Sequence, residues 1–262
     1  MNNQFRYTAP ADEKPLDNLV TDGGYASIFR TVAFVGDSLS SGEFETFDPE
    51  KNERHYYDMF EYSWGQFAAR MAGFTAYNFS RGGMTASEYC DSYAAAKGWW
   101  DPALKAQAYV IALGVNDLCI VDMELGSIAD IDSTDWRNNK PTFMGYYAAI
   151  VSRYKEISPD AKFFFVTFPN TTTPKEKEWG EPMTRAMYEL ADYFDNAYVI
   201  DLYHDGPLYD DRFKKTYFLY GHMNPAGYVL TAKLIDSYID YIVRHNPDDF
   251  HTTGFINTGI PV

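Results

Sequence analysis

Thr31-Val-Ala-Phe-Val-Gly36-Asp37-Ser38-Leu39-Ser40 carries an apolar, β-branched run directly into a small polar turn whose third residue is a serine. A run of this kind reads as a buried strand. In an open parallel sheet, ligands bind beyond the carboxyl ends of the strands, so Ser38 stands where a nucleophile could be used. The fragment alone equally fits a turn in which Asp37 and Ser38 merely cap the next helix.

Four further apolar runs resemble the first: Ala76 to Phe79, Tyr109 to Leu113, Phe163 to Phe168 and Tyr198 to Leu202. Several are apolar on both faces, as strands covered by helices on both sides must be. Helix-period stretches lie between them. Glu61 to Met71 stops at Gly73, Thr85 to Ala96 follows a Gly-Gly turn, and Phe143 to Ile157 ends at Ser158-Pro159. Pro182 to Phe194 opens on a proline suited to a first helical turn, and the last helix runs from Asn224-Pro225 to about Arg244. Alternating strands and helices predict right-handed crossovers and a three-layer α/β/α sandwich around a parallel sheet of about five strands. One domain is expected over residues 29–247, preceded by an amino-terminal extension (1–28) and followed by a tail (248–262). The acidic stretch Val121 to Pro141 reads as an insertion or long loop.

Composition narrows the function classes. The formal net charge is -15. A surface so acidic lacks the clustered Lys and Arg that nucleic acid or an anionic membrane requires, so neither is an expected partner. No apolar run approaches the roughly 20 residues that span a bilayer. No basic region followed by an apolar core opens the chain, so a cytoplasmic protein is expected, or a secreted one whose signal is missing from this sequence. Cys90 and Cys119 read as structural thiols. The five histidines show no metal-ligand spacing, and neither a phosphate loop nor a dinucleotide fingerprint occurs, so no metal or cofactor is expected. The many aromatic residues are assigned by default to the core, although Trp136 and Trp179 could wall a substrate groove.

Four loops at or near the carboxyl ends of the expected strands carry chemistry. The first holds Ser38. The second, Asn78-Phe-Ser-Arg-Gly82-Gly83-Met-Thr85, has glycines that free a backbone N–H at a helix start, with Gly83 the expected donor and Gly82 its alternative one residue earlier. The third is Gly114-Val-Asn116-Asp117, and the fourth is Gly221-His222-Met-Asn-Pro225. Together they supply a hydroxyl nucleophile, an imidazole base, and backbone and amide donors for an oxyanion. Acyl transfer needs these parts. His222 would take the Ser38 proton, while the N–H groups of Ser38 and Gly83 and the Asn116 amide would face the developing alkoxide.

In these blocks the sequence resembles the SGNH or GDSL-type hydrolases. Gly36-Asp37-Ser38-Leu39 looks like that family's first block, Gly83 its second, Asn116 its third and His222 its last, in the family's order over positions 32 to 228. The resemblance implies a flavodoxin-like three-layer fold and a cofactor-independent serine hydrolase acting on carboxylic esters, a carbohydrate ester being the first substrate class to try. An acyltransferase, or a non-catalytic carbohydrate-binding protein on a hydrolase scaffold, are the alternative readings. One position departs from the pattern. Where the family usually has an aspartate three residues before the histidine, this chain has Leu219. A main-chain carbonyl near Leu219 or Tyr220 is expected to accept the His222 Nδ1–H, giving a Ser-His dyad. A carboxylate from elsewhere is the alternative, with Asp201, Asp205, Asp210 and Asp211 as candidates.

Overall fold

The computed structural model describes residues 9–261. Its strands, in chain order, are β1 (Thr31–Gly36), β2 (Glu43–Asp48), β3 (Glu53–Asp58), β4 (Thr75–Ser80), β5 (Ala108–Ala112), β6 (Lys162–Val166), β7 (Ala197–Ile200), β8 (Phe218–Leu219) and β9 (His222–Met223). The five expected strands form one sheet in the order β4-β1-β5-β6-β7, and every pairing in it is parallel.

Strict alternation along the central strands divides the core in two. Ala33, Val35, Tyr109, Ile111, Phe163 and Phe165 face one side. Val32, Phe34, Ala108, Val110, Phe164 and Val166 face the other. The first side is covered by helices Phe143–Ile157 and Pro174–Tyr193 and the helical segment 86–96, the second by Trp64–Ala72 and Pro225–His245. This is the three-layer α/β/α sandwich. Much of the aromatic content sits here: Tyr109 stacks on Tyr154 and Phe163, and the buried hydroxyls of Tyr89 and Tyr154 satisfy each other at 2.5 Å. Trp179 packs against this same core. Trp136 donates to Glu156 at 2.9 Å and lies against Arg153, so both find packing roles on the helical layer.

Helix boundaries follow their caps. Ser63 accepts from Gln66 N–H and Gly73 closes the same helix in the left-handed region, while Asn224 accepts from Gly227 N–H ahead of Pro225. One boundary is corrected. The helix expected from Pro182 begins at Pro174, preceded by Thr173, and Pro182 lies inside it. Pro174 takes the first-turn position, and Pro182 is accommodated within the helix.

Of the expected amino-terminal extension, residues 1–8 lie outside the described part. The remainder is tied to the terminal helix, Glu13 pairing with Arg244 and Tyr25 N–H donating to Asp240. The expected tail contains a short helix, Pro247–Phe250, whose phenylalanine is buried against Phe164 and Phe29. The acidic loop folds on its own carboxylates. Asp132 accepts the Thr134 hydroxyl and the N–H groups of Thr134 and Asp135, and these bonds hold its carboxyl well below the usual range. No described helix is long and apolar enough to cross a membrane.

Asp236, on the terminal helix, is fully buried, and both carboxylate oxygens lack a hydrogen-bond partner among the described residues. Burial lifts its carboxyl to about 8. The unfolded chain therefore releases this proton near pH 4 while the folded chain keeps it until about pH 8, so stability falls as pH rises between those values and levels off above them. Asp236→Asn removes the slope. At pH 7 it is expected to stabilise the fold by about a few kcal/mol, raising Tm by several degrees. Thermal unfolding of both proteins from pH 5 to 8 checks this, and parallel curves would contradict it.

Candidate active site

Four loops converge at the carboxyl edge of the sheet, and each is fixed by local chemistry. After β1 the chain turns at once into a one-turn helix, Ser38–Ser41, with Asp37 as its cap accepting from Leu39 N–H at 3.1 Å. Gly36 has no room for a side chain, because a Cβ there would overlap Ser40. The capping role thus falls to Asp37, leaving the Ser38 side chain free of it and partly exposed. Asp37 itself is buried, and desolvation pushes its carboxyl up to about 7 against the opposing Leu39 N–H.

The second loop follows β4. Ser80 Oγ donates to Phe34 O at 2.8 Å, tying the loop to β1. Gly83 takes φ of 70°, a conformation that disfavours a side chain, and open space lies where its Cβ would be. Thr85 caps the helix that follows. The third loop holds this one in place. Asn116 Nδ2 donates to Met84 O at 3.1 Å, and buried Asp117 accepts Ala86 N–H at 2.8 Å. Residues Val115–Ile120 make a π-helical turn, wider than an α-turn and frequent at functional sites. Asp117 is a strut, its carboxyl lifted to about 6 by burial.

His222 comes from the fourth loop, a two-residue ladder of β8 and β9 turning at Tyr220, which adopts φ of 58°. Its Nδ1 lies 3.2 Å from Oε2 of Glu45. The same oxygen accepts Gly221 N–H at 2.8 Å, and the other carboxylate oxygen is paired with Arg54. This corrects the expected dyad: the acceptor is a carboxylate, not a carbonyl near Leu219 or Tyr220. None of the four candidate aspartates supplies it. Asp201 accepts from His204 at 2.8 Å, Asp205 from Tyr238, Asp210 caps the helix Asp211–Tyr217, and Asp211 lies in that helix's first turn.

Glu45 belongs to an antiparallel hairpin, β2–β3, that sequence reasoning missed. Glu45 pairs with Tyr56, Glu43 with Asp58 and Phe47 with Arg54. Since cross-strand partners share a face, these six residues form one surface, and it lies over the histidine loop. Phe47 and Arg54 meet the Tyr220 ring, while the Tyr56 ring stands 5.7 Å from the imidazole of His222. Asp58 accepts from Ser41 Oγ. Glu43 Oε1 lies 3.0 Å from His222 Nε2. Burial lowers the His222 pKa below its ordinary 6.5, opposed by the charges of Glu43 and Asp58. No hydrogen bond joins Ser38 Oγ to His222 among the described residues, a common feature of substrate-free sites.

The family model for GDSL-like lipases and acylhydrolases matches residues 34–230, a span that runs from β1 through the histidine loop. The chain belongs to the GDSL-like lipase/acylhydrolase family. An esterase-type hydrolase is the activity this membership supports. Comparison with curated protein sequences finds no match. Among solved structures, a family two carbohydrate esterase from Clostridium thermocellum, in complex with cellohexaose, shares 18% identity at a TM-score of 0.56, covering 82% of this chain and 64% of that one. A family 2 carbohydrate esterase from Corynascus thermopiles (Myceliophthora fergusii) shares 16% at 0.54, covering 82% and 66%. The family 3 carbohydrate esterase of Clostridium thermocellum shares 15% at 0.53, covering 82% and 96%. At these identities the likeness is one of fold. The chain thus spans about two thirds of the length of the family two enzymes.

Proposed function

We propose that this GDSL-family chain is a serine esterase that cleaves carboxylic esters through an acyl-Ser38 intermediate, with Glu45 as the third member of a Ser38-His222-Glu45 set. The observation that carries the reading is the buried Glu45 carboxylate on His222 Nδ1. It holds the proton on Nδ1, so that Nε2 is the nitrogen that accepts one in catalysis. Ser38 Oγ attacks the ester carbonyl carbon as its proton passes to His222 Nε2. The oxyanion that forms is met by the N–H groups of Ser38 and Gly83 and by the Asn116 amide. Collapse breaks the carbon–oxygen bond to the alcohol, which leaves with the proton from His222. Water then attacks the acyl-Ser38 carbonyl, giving a proton to His222. Release of the carboxylic acid returns that proton to Ser38.

A small acyl group on a carbohydrate is the proposed substrate class. The exposed rings of Tyr56, Phe47 and Tyr220 around the histidine loop support it, because aromatic faces offer sugars an apolar platform beside polar tips. The experiment is stopped-flow hydrolysis of p-nitrophenyl acetate. A p-nitrophenol burst close to one equivalent of enzyme is expected if deacylation is the slower step. Incubation with acetylated oligosaccharides tests the alcohol, with acetate release as the expected outcome.

A further inference from the structure

Glu43 is the residue this mechanism leaves unexplained. It blocks the nitrogen the mechanism needs: its carboxylate sits on His222 Nε2, the position taken in catalysis by Ser38 Oγ and then by the leaving-group oxygen. Its second oxygen lies against Gly82, next to the proposed oxyanion donor, where a Cβ would collide with it. Asp58 stands directly across the ladder, and like charges so placed oppose each other. Burial and Asp58 both raise the Glu43 pKa, with His222 opposing. The nearby cations are otherwise engaged, Arg54 with Glu45 and Arg81 with Glu88. Among the described residues, the His222 imidazole is the one basic side chain Glu43 pairs with.

A carboxylate in that position loses its partner whenever His222 turns to serve Ser38. A buried charged group without a donor is costly, whereas a donor brought by the ligand satisfies it. We propose that Glu43 is a specificity-determining residue that reads a hydroxyl next to the scissile ester oxygen, selecting esters of diols and polyols over esters of simple or anionic alcohols. The inference rests on the esterase reading of the same site. The substrate hydroxyl donates to Glu43 and draws its carboxylate away from the imidazole, so the ester that satisfies Glu43 also clears Nε2 to accept the Ser38 proton. An ester without a donor must displace the carboxylate unaided, and one carrying a carboxylate meets repulsion from Glu43 and Asp58 together. A site that hydrogen-bonds a substrate hydroxyl discriminates strongly against the analogue lacking it.

Hydrolysis of 2-hydroxyethyl acetate and 2-methoxyethyl acetate tests this, since the two differ chiefly in the donor. The wild-type protein is expected to favour the hydroxyl ester in kcat/KM by about 10- to 100-fold, the range of a hydrogen bond to a charged group. In Glu43→Ala the preference should fall to within about threefold, with p-nitrophenyl acetate turnover raised because Nε2 is freed. Glu43→Gln keeps the shape without the charge and should fall between. Equal losses on both esters in either folded variant, or no wild-type preference, would overturn the proposal. Ser38-dependent turnover of p-nitrophenyl acetate reports separately on the esterase reading, so the two can fail independently.

Discussion

Ser38→Ala is expected to lower kcat for p-nitrophenyl acetate by about 10⁶, the scale on which loss of the nucleophile or base acts in serine hydrolases. The fold should not notice. Ser38 is partly exposed, and the helix cap belongs to Asp37, so circular dichroism and Tm should match the wild type. Loss of His222 should cost about as much, and the double variant little more, because the two act as a unit. The base also sets the acid limb of the pH profile. Proton transfer from Ser38 needs neutral His222, and burial holds its pKa below 6.5. Activity should therefore survive to more acidic pH than an ordinary histidine would allow, with the midpoint of kcat/KM below 6.5. A midpoint above 7 would point to a different titrating group.

Glu45→Ala is expected to lower kcat by about 10³- to 10⁴-fold with KM little changed, as removal of the orienting carboxylate does elsewhere. Three partners are lost together: His222 Nδ1, Gly221 N–H and Arg54. Arg54 is more than half exposed and can return to water, which limits the stability cost. The imidazole is then free to adopt the wrong tautomer or turn away from Ser38. Glu45→Asp retracts the carboxylate by one methylene and should restore part of the rate. A merely structural Glu45 would instead show a loss tracking the unfolded fraction, with the folded population fully active. Full activity in folded Glu45→Ala would return the site to a Ser-His dyad.

The sheet was legible because its signal is simple. Residues that alternate between two buried faces are apolar or aromatic throughout, and β1, β5 and β6 carry no charged side chain between their ends. The loops carrying Ser38, Gly83 and Asn116 were equally legible, since each follows a strand expected from its apolar run, and His222 lies just ahead of the expected terminal helix. The helix Pro174–Tyr193 was placed late because a proline reads as a start, and two prolines compete in that segment. The hairpin was hidden for a different reason. Its inward face is Glu43, Glu45, Phe47, Arg54, Tyr56 and Asp58, which reads as a solvated loop until the histidine loop is laid against it. Its available signals were Pro49 and Asn52 in the turn, where Asn52 adopts φ of 54°, and the alternation on either side. Leu219 did show that the usual carboxylate was missing. Which residue replaced it could not follow from spacing, because Glu45 and His222 are separated by 177 positions and meet only through packing.

The central claim is that Ser38 is the nucleophile activated by His222, and trapping the covalent adduct tests it most directly. The intact protein is treated with a fluorophosphonate, digested and mapped by mass spectrometry. One adduct per chain is predicted, on the peptide containing Ser38, with labelling lost in Ser38→Ala and strongly slowed in His222→Ala. An adduct on another residue, or no adduct in a protein that hydrolyses p-nitrophenyl acetate, would contradict the account.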